Sequence, residues 1–179
     1  MILTDREIRI ALQDKAIIIE PQPDQSVAIS STSIDLTLSH VFREWKAMNG
    51  VKISPGAEGY TYSALAQNFQ VAKDAPYTLK PGKFVLAWTA EKISIPTKSR
   101  LAARVEGKSS LARLGICIHV TAPVIHSGFK GQIQLEMYNF GPLEVVLDAG
   151  MWICQLVFEQ TAGTPERGYE GIFAGQADH

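Results

Sequence analysis

The 179-residue sequence has almost no net charge, few cysteines and no long apolar run. Its formal net charge of −1 excludes the broad basic surface that binds long duplex nucleic acid, so we expect no nucleic acid polymer as a partner. No apolar stretch approaches the roughly 20 residues that span a membrane, and we expect no membrane association. A small anionic ligand remains compatible with this composition, because it needs only a few local donors.

Patterns of metal ligands are also missing. The two cysteines, Cys117 and Cys154, form no CxxC pair, and neither HExxH nor the H-x-E…P-C-x-x-C pattern of zinc deaminases occurs. We therefore expect no zinc and no metal ligand from the protein, and we interpret His119 as a packed or hydrogen-bonded side chain. Free thiols suit a reducing compartment, and the first ten residues lack the basic and apolar regions of a signal peptide. The expected location is the cytoplasm.

Short β-prone runs dominate the chain. Alternation of polar and apolar residues marks segment 33–39 as a half-buried strand. Glycines separate further runs at 84–90, 101–105, 116–121, 132–140, 143–147 and 152–158. Segment 46–82 has no clear periodicity, and 24–31 is interpreted as a loop. This spacing predicts a mainly β fold, and it favours a sandwich, jelly roll or distorted barrel over a parallel sheet.

A short helix is expected at the N-terminus, because Thr4 and Glu7 fit a capping box. The apolar stripe that follows consists of Ile8, Ile10, Ala11 and Leu12. Nothing indicates an internal repeat or a second domain, so residues 1–179 are predicted to form a single domain. Segment 161–179 is rich in Gly, Pro and charge, and we predict that it is a mobile C-terminal arm.

The densest group of polar side chains lies between Glu106 and Gly115. Two hydroxyls, an ammonium and a guanidinium stand between glycines there, in the run EGKSSLARLG. Hydroxyls and backbone N–H groups of such a turn can hold phosphate oxygens, while Lys108 supplies a point charge and Arg113 a planar fork. Residues 109–114 could form one helical turn. The spacing is not that of a Walker P-loop, and a polar hairpin loop remains the alternative.

Glu136 shares one face of the predicted strand 132–140 with Gln132 and Gln134. A carboxylate on such a face ordinarily points into solvent. If the face lined a pocket instead, desolvation would raise the pKa of Glu136 and suit it to a proton shuttle. The residues alone leave both interpretations open.

These segments, in this order, resemble the dCTP deaminase branch of the dCTP deaminase–dUTPase superfamily, over residues 2 to about 159. LTDREI at 3–8 and SIDLTL at 33–38 are similar to the opening motifs. GKSSLARLG at 107–115 matches the phosphate-binding motif, HVTA at 119–122 the H-x-T-A stretch, and GFKGQIQLE at 128–136 the strand that ends in the catalytic carboxylate. AGMWICQL at 149–156 matches a further motif, with alanine in place of proline.

The resemblance implies a dUTPase-like distorted β-barrel or jelly roll that assembles as a homotrimer, with sites between subunits. It implies hydrolysis of dCTP to dUTP and ammonia, with Mg²⁺ bound through the triphosphate of the nucleotide and no zinc. Glu136 would be the catalytic carboxylate, assisted by Arg113 and Ser109. The implied nucleotide-binding residues are Lys108, Ser109, Ser110, Leu111, Ala112, Arg113, Thr121, Ala122, His126, Phe129, Gln134, Leu135, Glu136, Gln155, Tyr169 and Gln176.

The implied chemistry agrees with what the residues could do. Deamination needs water to attack C4 of the base, a proton for N3 and a second proton for the departing amine. Without a metal to acidify the water, one carboxylate must take a proton from it and return one to the base. This requirement favours Glu136 in a water-poor pocket, with Arg113 nearby as the orienting cation. Phe129 matches the family's aromatic position beneath the sugar.

His126 departs from the family pattern, since most relatives carry Asp at this position. In dUTPases that Asp contacts the sugar and orients the water that attacks the α-phosphate. A neutral imidazole is a weaker and differently shaped partner. His126 therefore argues against the first alternative function, a dUTPase or a bifunctional, dUMP-forming deaminase.

The C-terminal arm departs as well. Tyr169 of the family's Lys-Tyr-x-x-Gln segment is present, but Gly168 and Ile172 replace the Lys and the Gln, so Gln176 would have to serve from a shifted register. The altered arm mildly favours a second alternative, a catalytically silent nucleotide-binding regulatory relative. Glu136 argues against that alternative, because a pure binder needs no carboxylate against the base.

Overall fold

The structure is a computed structural model, and it describes residues 1–46, 49–61, 69–72 and 76–169. The chain begins with the predicted helix, α1 (Asp5–Gln13). The Thr4 N–H donates to the Glu7 carboxylate at 3.1 Å, as the capping box predicts. Ile8 and Ala11 are buried and Leu12 packs against the core. Ile10 does not join this stripe, because it lies on the opposite side of the helix and is 48% exposed.

Strands are far more abundant than helices in the described chain, as the sequence predicts. The remaining helices are α2 (Gln25–Ala28), a 3₁₀ turn (Thr97–Ser99) and α3 (Ser109–Ala112). The strands are β1 (Ile18–Glu20), β2 (Ile34–Trp45), β3 (Phe69–Ala72), β4 (Tyr77–Leu79), β5 (Phe84–Ser94), β6 (Leu101–Gly107), β7 (Ile116–Cys117), β8 (Val124–Ile125), β9 (Lys130–Asn139), β10 (Val145–Leu147) and β11 (Trp152–Gln160). None of the helices in these ranges has the length and apolar character needed to cross a membrane.

One large antiparallel sheet organises the described residues. Its strands follow the order β7-β9-β5-β2-β11-β6-β8, β1 and β3 pair with β5 and β2, and β10 pairs separately with β4. Strands β9 and β8 stand near opposite ends of this order, yet Glu136 of β9 and Val124 of β8 line one cavity. The sheet is therefore curled, which confirms the mainly β, barrel-like architecture expected from the sequence.

The core lies inside this curl and is built by the alternating pattern of the strands. Ile34, Leu36 and Leu38 of β2 are each at most 1% exposed, and Leu135 and Met137 of β9 are fully buried. Because successive residues of a strand point to opposite faces, each apolar set places its polar neighbours on the other face. On β9 those neighbours include Gln134 and Glu136.

Several predicted boundaries were wrong. The run 116–121 was predicted as one strand, but β7 ends at Cys117 and the chain then bends. Segment 24–31 was predicted as a loop but contains α2, and β1, β3, β4 and β8 lie in segments without a strand prediction. Strands β1 and β8 are only two to three residues long and are held by pairing with β5 and β6. Helix α2 does have a local signal, because the Asp24 side chain caps it by accepting the Ser26 N–H at 2.9 Å.

Segment 161–169 contacts the body of the protein. The Thr161 N–H donates to the carbonyl of Arg100 at 2.9 Å, and the Tyr169 N–H donates to the carbonyl of Ser127 at 3.1 Å. The mobility of the arm and the single-domain organisation stay predictions. The predicted contact residue Gln176 lies outside the described residues.

Candidate active site

A cavity of about 400 Å³ opens between β9, β5 and the segment after β8. Glu136 and Gln134 of β9 face it, and both side chains are half-buried. Most of the other lining residues are apolar or aromatic, which is typical of a small-molecule site with a few placed polar groups. The lining consists of Trp45, Phe84, Leu86, Ala122, Val124, Ile125, His126, Phe129, Ile133, Gln134, Glu136 and Tyr169.

Burial in this cavity raises the pKa of the Glu136 carboxyl above its ordinary value. Two weaker effects oppose the rise, namely a hydrogen bond from the backbone N–H of Val120 and the nearby charge of His119. The Nδ1 atom of His119 is buried and has no hydrogen-bond partner among the described residues. Of the two interpretations that the sequence left open for Glu136, the structure favours the pocket.

A bulge in β5 sets the register of β9 on which Glu136 stands. The pairing of β5 with β9 shifts between Trp88 and Lys92, and the buried Thr89 within this bulge accepts the Ile133 N–H at 3.0 Å. Gln132 is also buried and donates to the Thr89 carbonyl at 2.9 Å. Gln132 thus anchors the strand and does not line the cavity, although it shares a strand face with Gln134 and Glu136.

His126, Phe129 and Tyr169 form one wall of the cavity. The rings of His126 and Tyr169 stack at 5.5 Å between centroids, and the ring of Phe129 lies 6.1 Å from that of Tyr169. Gly128, between the first two residues in the chain, has a φ of +87° and lies against the backbone of Gly168 and Tyr169. The side chain of His126 is therefore an imidazole that packs on an aromatic ring.

The predicted phosphate loop follows β6 as expected, and α3 provides the predicted helical turn. Ser109, Ser110, Ala112 and Arg113 are exposed on it, whereas the Leu111 side chain is buried. At the other end of the loop, the Phe140 N–H donates to the Gly115 carbonyl at 2.8 Å. The loop thus presents two hydroxyls and a guanidinium to its surroundings.

Within one chain, the phosphate loop does not reach the Glu136 cavity. Residues 108–113 do not line the Glu136 cavity. Ala112 instead borders a second cavity of about 470 Å³, together with His119. Of the predicted base-facing pair, Ala122 lines the Glu136 cavity, and Thr121 is exposed beside it. The predicted pairing of Glu136 with Arg113 stays a prediction.

Two predicted contact residues are engaged inside the protein. Lys108 Nζ donates to Asp35 Oδ2 in a partly buried ion pair. Gln155 accepts a hydrogen bond from Ser33 Oγ at 2.9 Å and donates one to the Gly107 carbonyl at 3.2 Å. The Leu135 side chain, also among the predicted contacts, is fully buried in the core.

Sequence reasoning missed the apolar side of the cavity. Trp45, Phe84 and Leu86 come from β2 and β5 and meet Glu136 only through strand pairing across the sheet. The alternation within β5 is a signal for a strand, but it does not say which cavity the strand lines. Within the described ranges no group of three or more His, Cys, Asp or Glu side chains is arranged to hold a metal ion. Both cysteines are free thiols.

Comparisons with known proteins place the chain in a family. A family model described as dCTP deaminase-like matches residues 2–161. A protein of Dictyoglomus thermophilum named dCTP deaminase, dUMP-forming, is 37% identical over 94% of this chain and 85% of its own. One of Haloarcula marismortui named dCTP deaminase is 38% identical over the same shares.

A solved structure agrees in fold. The 2'-deoxycytidine 5'-triphosphate deaminase of Agrobacterium tumefaciens superposes with a TM-score of 0.67 at 22% identity, over 88% of this chain. The chain spans about half of that protein, 47% of its length. This likeness confirms the dUTPase-like fold class expected from the sequence. With a family model matching almost its whole length and relatives that it covers broadly, the chain belongs to the dCTP deaminase-like family.

Proposed function

We propose that the protein hydrolyses dCTP to dUTP and ammonia without a catalytic metal, with Glu136 as the proton shuttle. The observation that carries this proposal is the place of Glu136. It lies half-buried in a cavity of about 400 Å³, and burial raises the pKa of its carboxyl. The names of relatives that are 37–38% identical support dCTP as the substrate.

The proposed reaction replaces the amine at C4 of cytosine by oxygen from water. Ionised Glu136 takes a proton from the attacking water and delivers it to N3, which gives a neutral tetrahedral intermediate. A second proton then passes from the C4 hydroxyl through Glu136 to the amine, and the C4–N bond breaks with release of ammonia. A carboxyl with a raised pKa suits both directions of transfer, since it is a stronger base than an exposed one and still returns the proton.

The phosphate end of the site is proposed to come from a second copy of the chain. Ser109, Ser110 and Arg113 are exposed, but they do not line the cavity that holds Glu136. A homotrimer with sites between subunits would bring the loop of one copy to the cavity of the next. Arg113 and Ser109 would then orient water and substrate at Glu136, and Mg²⁺ would enter as part of the Mg–dCTP complex. The free thiols support a cytoplasmic location.

The remaining predicted contacts are assigned by their position in the structure. Ala122 and Thr121 would face the base, and Gln134 would complete its polar wall. Phe129, His126 and Tyr169 would pack around the sugar, because they form the adjoining wall of the cavity. Through its backbone, Leu111 would contribute to the phosphate loop.

Product analysis tests the proposal. Purified protein is incubated with Mg²⁺ and dCTP, dCMP, CTP or dUTP, and ammonia, uracil nucleotides and pyrophosphate are measured. We expect ammonia and dUTP in equal amounts from dCTP, and no loss of rate when a zinc chelator is added. Binding of dCTP without any ammonia would instead support the silent regulatory relative. Inactivation by the zinc chelator would overturn the metal-free mechanism.

A dUMP-forming deaminase is the second candidate, favoured by the name of the Dictyoglomus relative. Formation of dUMP requires a second water to attack the α-phosphate. His126 argues against that step, because its ring is stacked on Tyr169 and is a weaker water-orienting group than a carboxylate. Pyrophosphate released in step with ammonia would support this candidate, and dUTP accumulating without pyrophosphate would exclude it.

A further inference from the structure

A row of three polar side chains follows one face of the chain at the start of β2. Ser33, Asp35 and Thr37 alternate with the buried Ile34 and Leu36, so they share a face of the extended backbone. Each binds a polar residue from another element. Ser33 binds Gln155, Asp35 binds Lys108, and Thr37 binds Glu91.

The first of these contacts leads to the beginning of the phosphate loop. Gln155 stands on β11 between β2 and β6, opposite Asp35 on one side and Glu106 on the other. Its amide oxygen accepts from Ser33 at 2.9 Å, and its amide nitrogen donates to the Gly107 carbonyl at 3.2 Å. Gln155 therefore ties the last residue of β6 to β2.

The second contact holds the next residue of the loop. The ion pair between Lys108 and Asp35 is partly buried, with the two side chains 24% and 16% exposed. Lys108 directly precedes Ser109 and Ser110 and has an extended backbone. A lysine side chain held in one direction has lost much of its rotamer freedom before any ligand arrives.

The third contact joins Thr37 to Glu91, a buried carboxylate. Glu91 is 3% exposed and accepts from the Thr37 N–H at 3.0 Å and from its hydroxyl at 2.8 Å. Both oxygens of Glu91 are thus engaged with Thr37, whereas the ammonium of Lys108 pairs with Asp35.

We propose that Asp35 is a positioning residue for phosphate binding: by holding Lys108, it orders the loop before the nucleotide binds. This inference rests on the proposed function, since it concerns the phosphate end of that site. An ammonium has three donors, so the pair with Asp35 leaves two for phosphate oxygens. Gln155 acts at the same place through the Gly107 carbonyl and needs no contact of its own with the nucleotide.

Asp35 also carries a negative charge, which would repel a phosphate, so two effects compete. Water reaches both partners of the ion pair, and it screens the repulsion. Removal of its partner frees the Lys108 ammonium from the ion pair that holds it. We therefore expect removal of the charge of Asp35 to weaken phosphate binding.

The test measures equilibrium binding by calorimetry with three probes: inorganic tripolyphosphate, dCTP and 2'-deoxycytidine. The variants are Asp35→Asn, Asp35→Glu, Lys108→Met and the double variant Asp35→Asn/Lys108→Met, with exposed Asp148→Asn as the matched control. We expect Asp35→Asn to weaken tripolyphosphate and dCTP about tenfold, the loss of one charge-assisted hydrogen bond, and to leave 2'-deoxycytidine unchanged. The double variant should bind no more weakly than Lys108→Met, and Asp35→Glu should recover most of the affinity.

Other results overturn the inference. One is an Asp35→Asn variant that binds tripolyphosphate as tightly as the wild type does. Another is an equal loss of affinity for 2'-deoxycytidine, and a third is a loss in the double variant that equals the sum of the two single losses. If Asp35→Asn fails to fold, Lys108→Met decides, because tripolyphosphate affinity equal to that of the wild type would mean that Lys108 binds no phosphate, which contradicts the positioning role. Tripolyphosphate binding needs no deamination, so the positioning role of Asp35 can be confirmed even if the protein releases no ammonia. Equally, the protein can release ammonia even if Asp35 has no positioning role.

Discussion

The ring of Tyr169 lies nearly parallel to the imidazole of His126, with 5.5 Å between their centroids and 11° between their planes. The same tyrosine approaches Phe129, and its backbone N–H donates to the carbonyl of Ser127. The end of the described chain is thereby held against the turn that forms one wall of the Glu136 cavity. Two aromatic rings and an imidazole shape the part of the cavity that we assign to the sugar.

Gly128 makes this close packing possible, and Gly128→Ala tests it. A Cβ at this position would lie 2.6 Å from the Tyr169 nitrogen and 2.7 Å from the Gly168 Cα, at a φ of +87°. A left-handed conformation alone costs a residue with a Cβ about 1–2 kcal/mol. We expect Tyr169 to be displaced, which raises the KM for dCTP and speeds tryptic cleavage after Arg167.

Gly163→Ala is the matched control, because no atom lies within 4 Å of its added Cβ. Kinetics and limited proteolysis of both variants are compared with the wild type. Equal KM values and equal cleavage rates in all three proteins would mean that Tyr169 does not depend on the close approach at Gly128.

Gly141 closes the far end of the phosphate loop. A Cβ there would lie 2.0 Å from the carbonyl oxygen of Leu114, and the neighbouring Phe140 N–H donates to the Gly115 carbonyl. Because backbone and not a flexible side chain blocks the space, we expect Gly141→Ala to lower the free energy of unfolding by about 1–3 kcal/mol.

Urea unfolding measures this change, with Gly56→Ala as the control, since its added Cβ meets nothing within 4 Å. The destabilised variant should also lose affinity for tripolyphosphate, as the loop shifts. A Gly141→Ala protein as stable as Gly56→Ala would show that the two backbones can separate without cost.

The raised pKa of Glu136 makes a prediction about stability and pH. The folded protein holds the Glu136 proton more tightly than the unfolded chain, so the free energy of unfolding falls as pH rises through the interval between the two pKa values. Above that interval, the desolvated Glu136 carboxylate lowers the free energy of unfolding by a constant amount. Glu136→Gln removes this effect, and we expect it to be more stable than the wild type near neutral pH.

This advantage should vanish below the ordinary carboxyl pKa of 4.5, where Glu136 is protonated in both states. Urea unfolding at a series of pH values measures it, with exposed Glu144→Gln correcting for the loss of one carboxylate. An advantage that grows on acidification would contradict the desolvation of Glu136.

Local sequence patterns predicted much of the fold and the outline of the site. Thr4 and Glu7 indicated α1, alternation indicated β2 and β9, and the glycines around Ser109 indicated the loop. These features depend on neighbours in the chain. The stack of His126 on Tyr169 could not be predicted in this way, because it depends on where a distant segment docks.

The contacts of the phosphate loop with other strands could not be predicted either, because they also join residues that are distant in the sequence. Lys108 and Asp35 are 73 residues apart, and only the order of strands in the sheet brings them together. Trp45 reaches the Glu136 cavity through the pairing of β2 with β5. The apolar pattern of α1 predicts that Ile10 packs with Ile8, Ala11 and Leu12. Only the last three of these side chains face the core.

Ammonia release from dCTP by wild-type protein, Glu136→Gln and Glu144→Gln tests whether Glu136 carries the proton transfers of the deamination. We predict that Glu136→Gln lowers kcat by about 10²–10⁴-fold, the usual contribution of a general acid–base group. The variant protein should still bind dCTP. Glu144→Gln, an exposed carboxylate outside the cavity, should release ammonia at the wild-type rate. Undiminished turnover by folded Glu136→Gln would mean that Glu136 is not the proton shuttle, and wild-type protein that releases no ammonia would mean that the protein is not a dCTP deaminase.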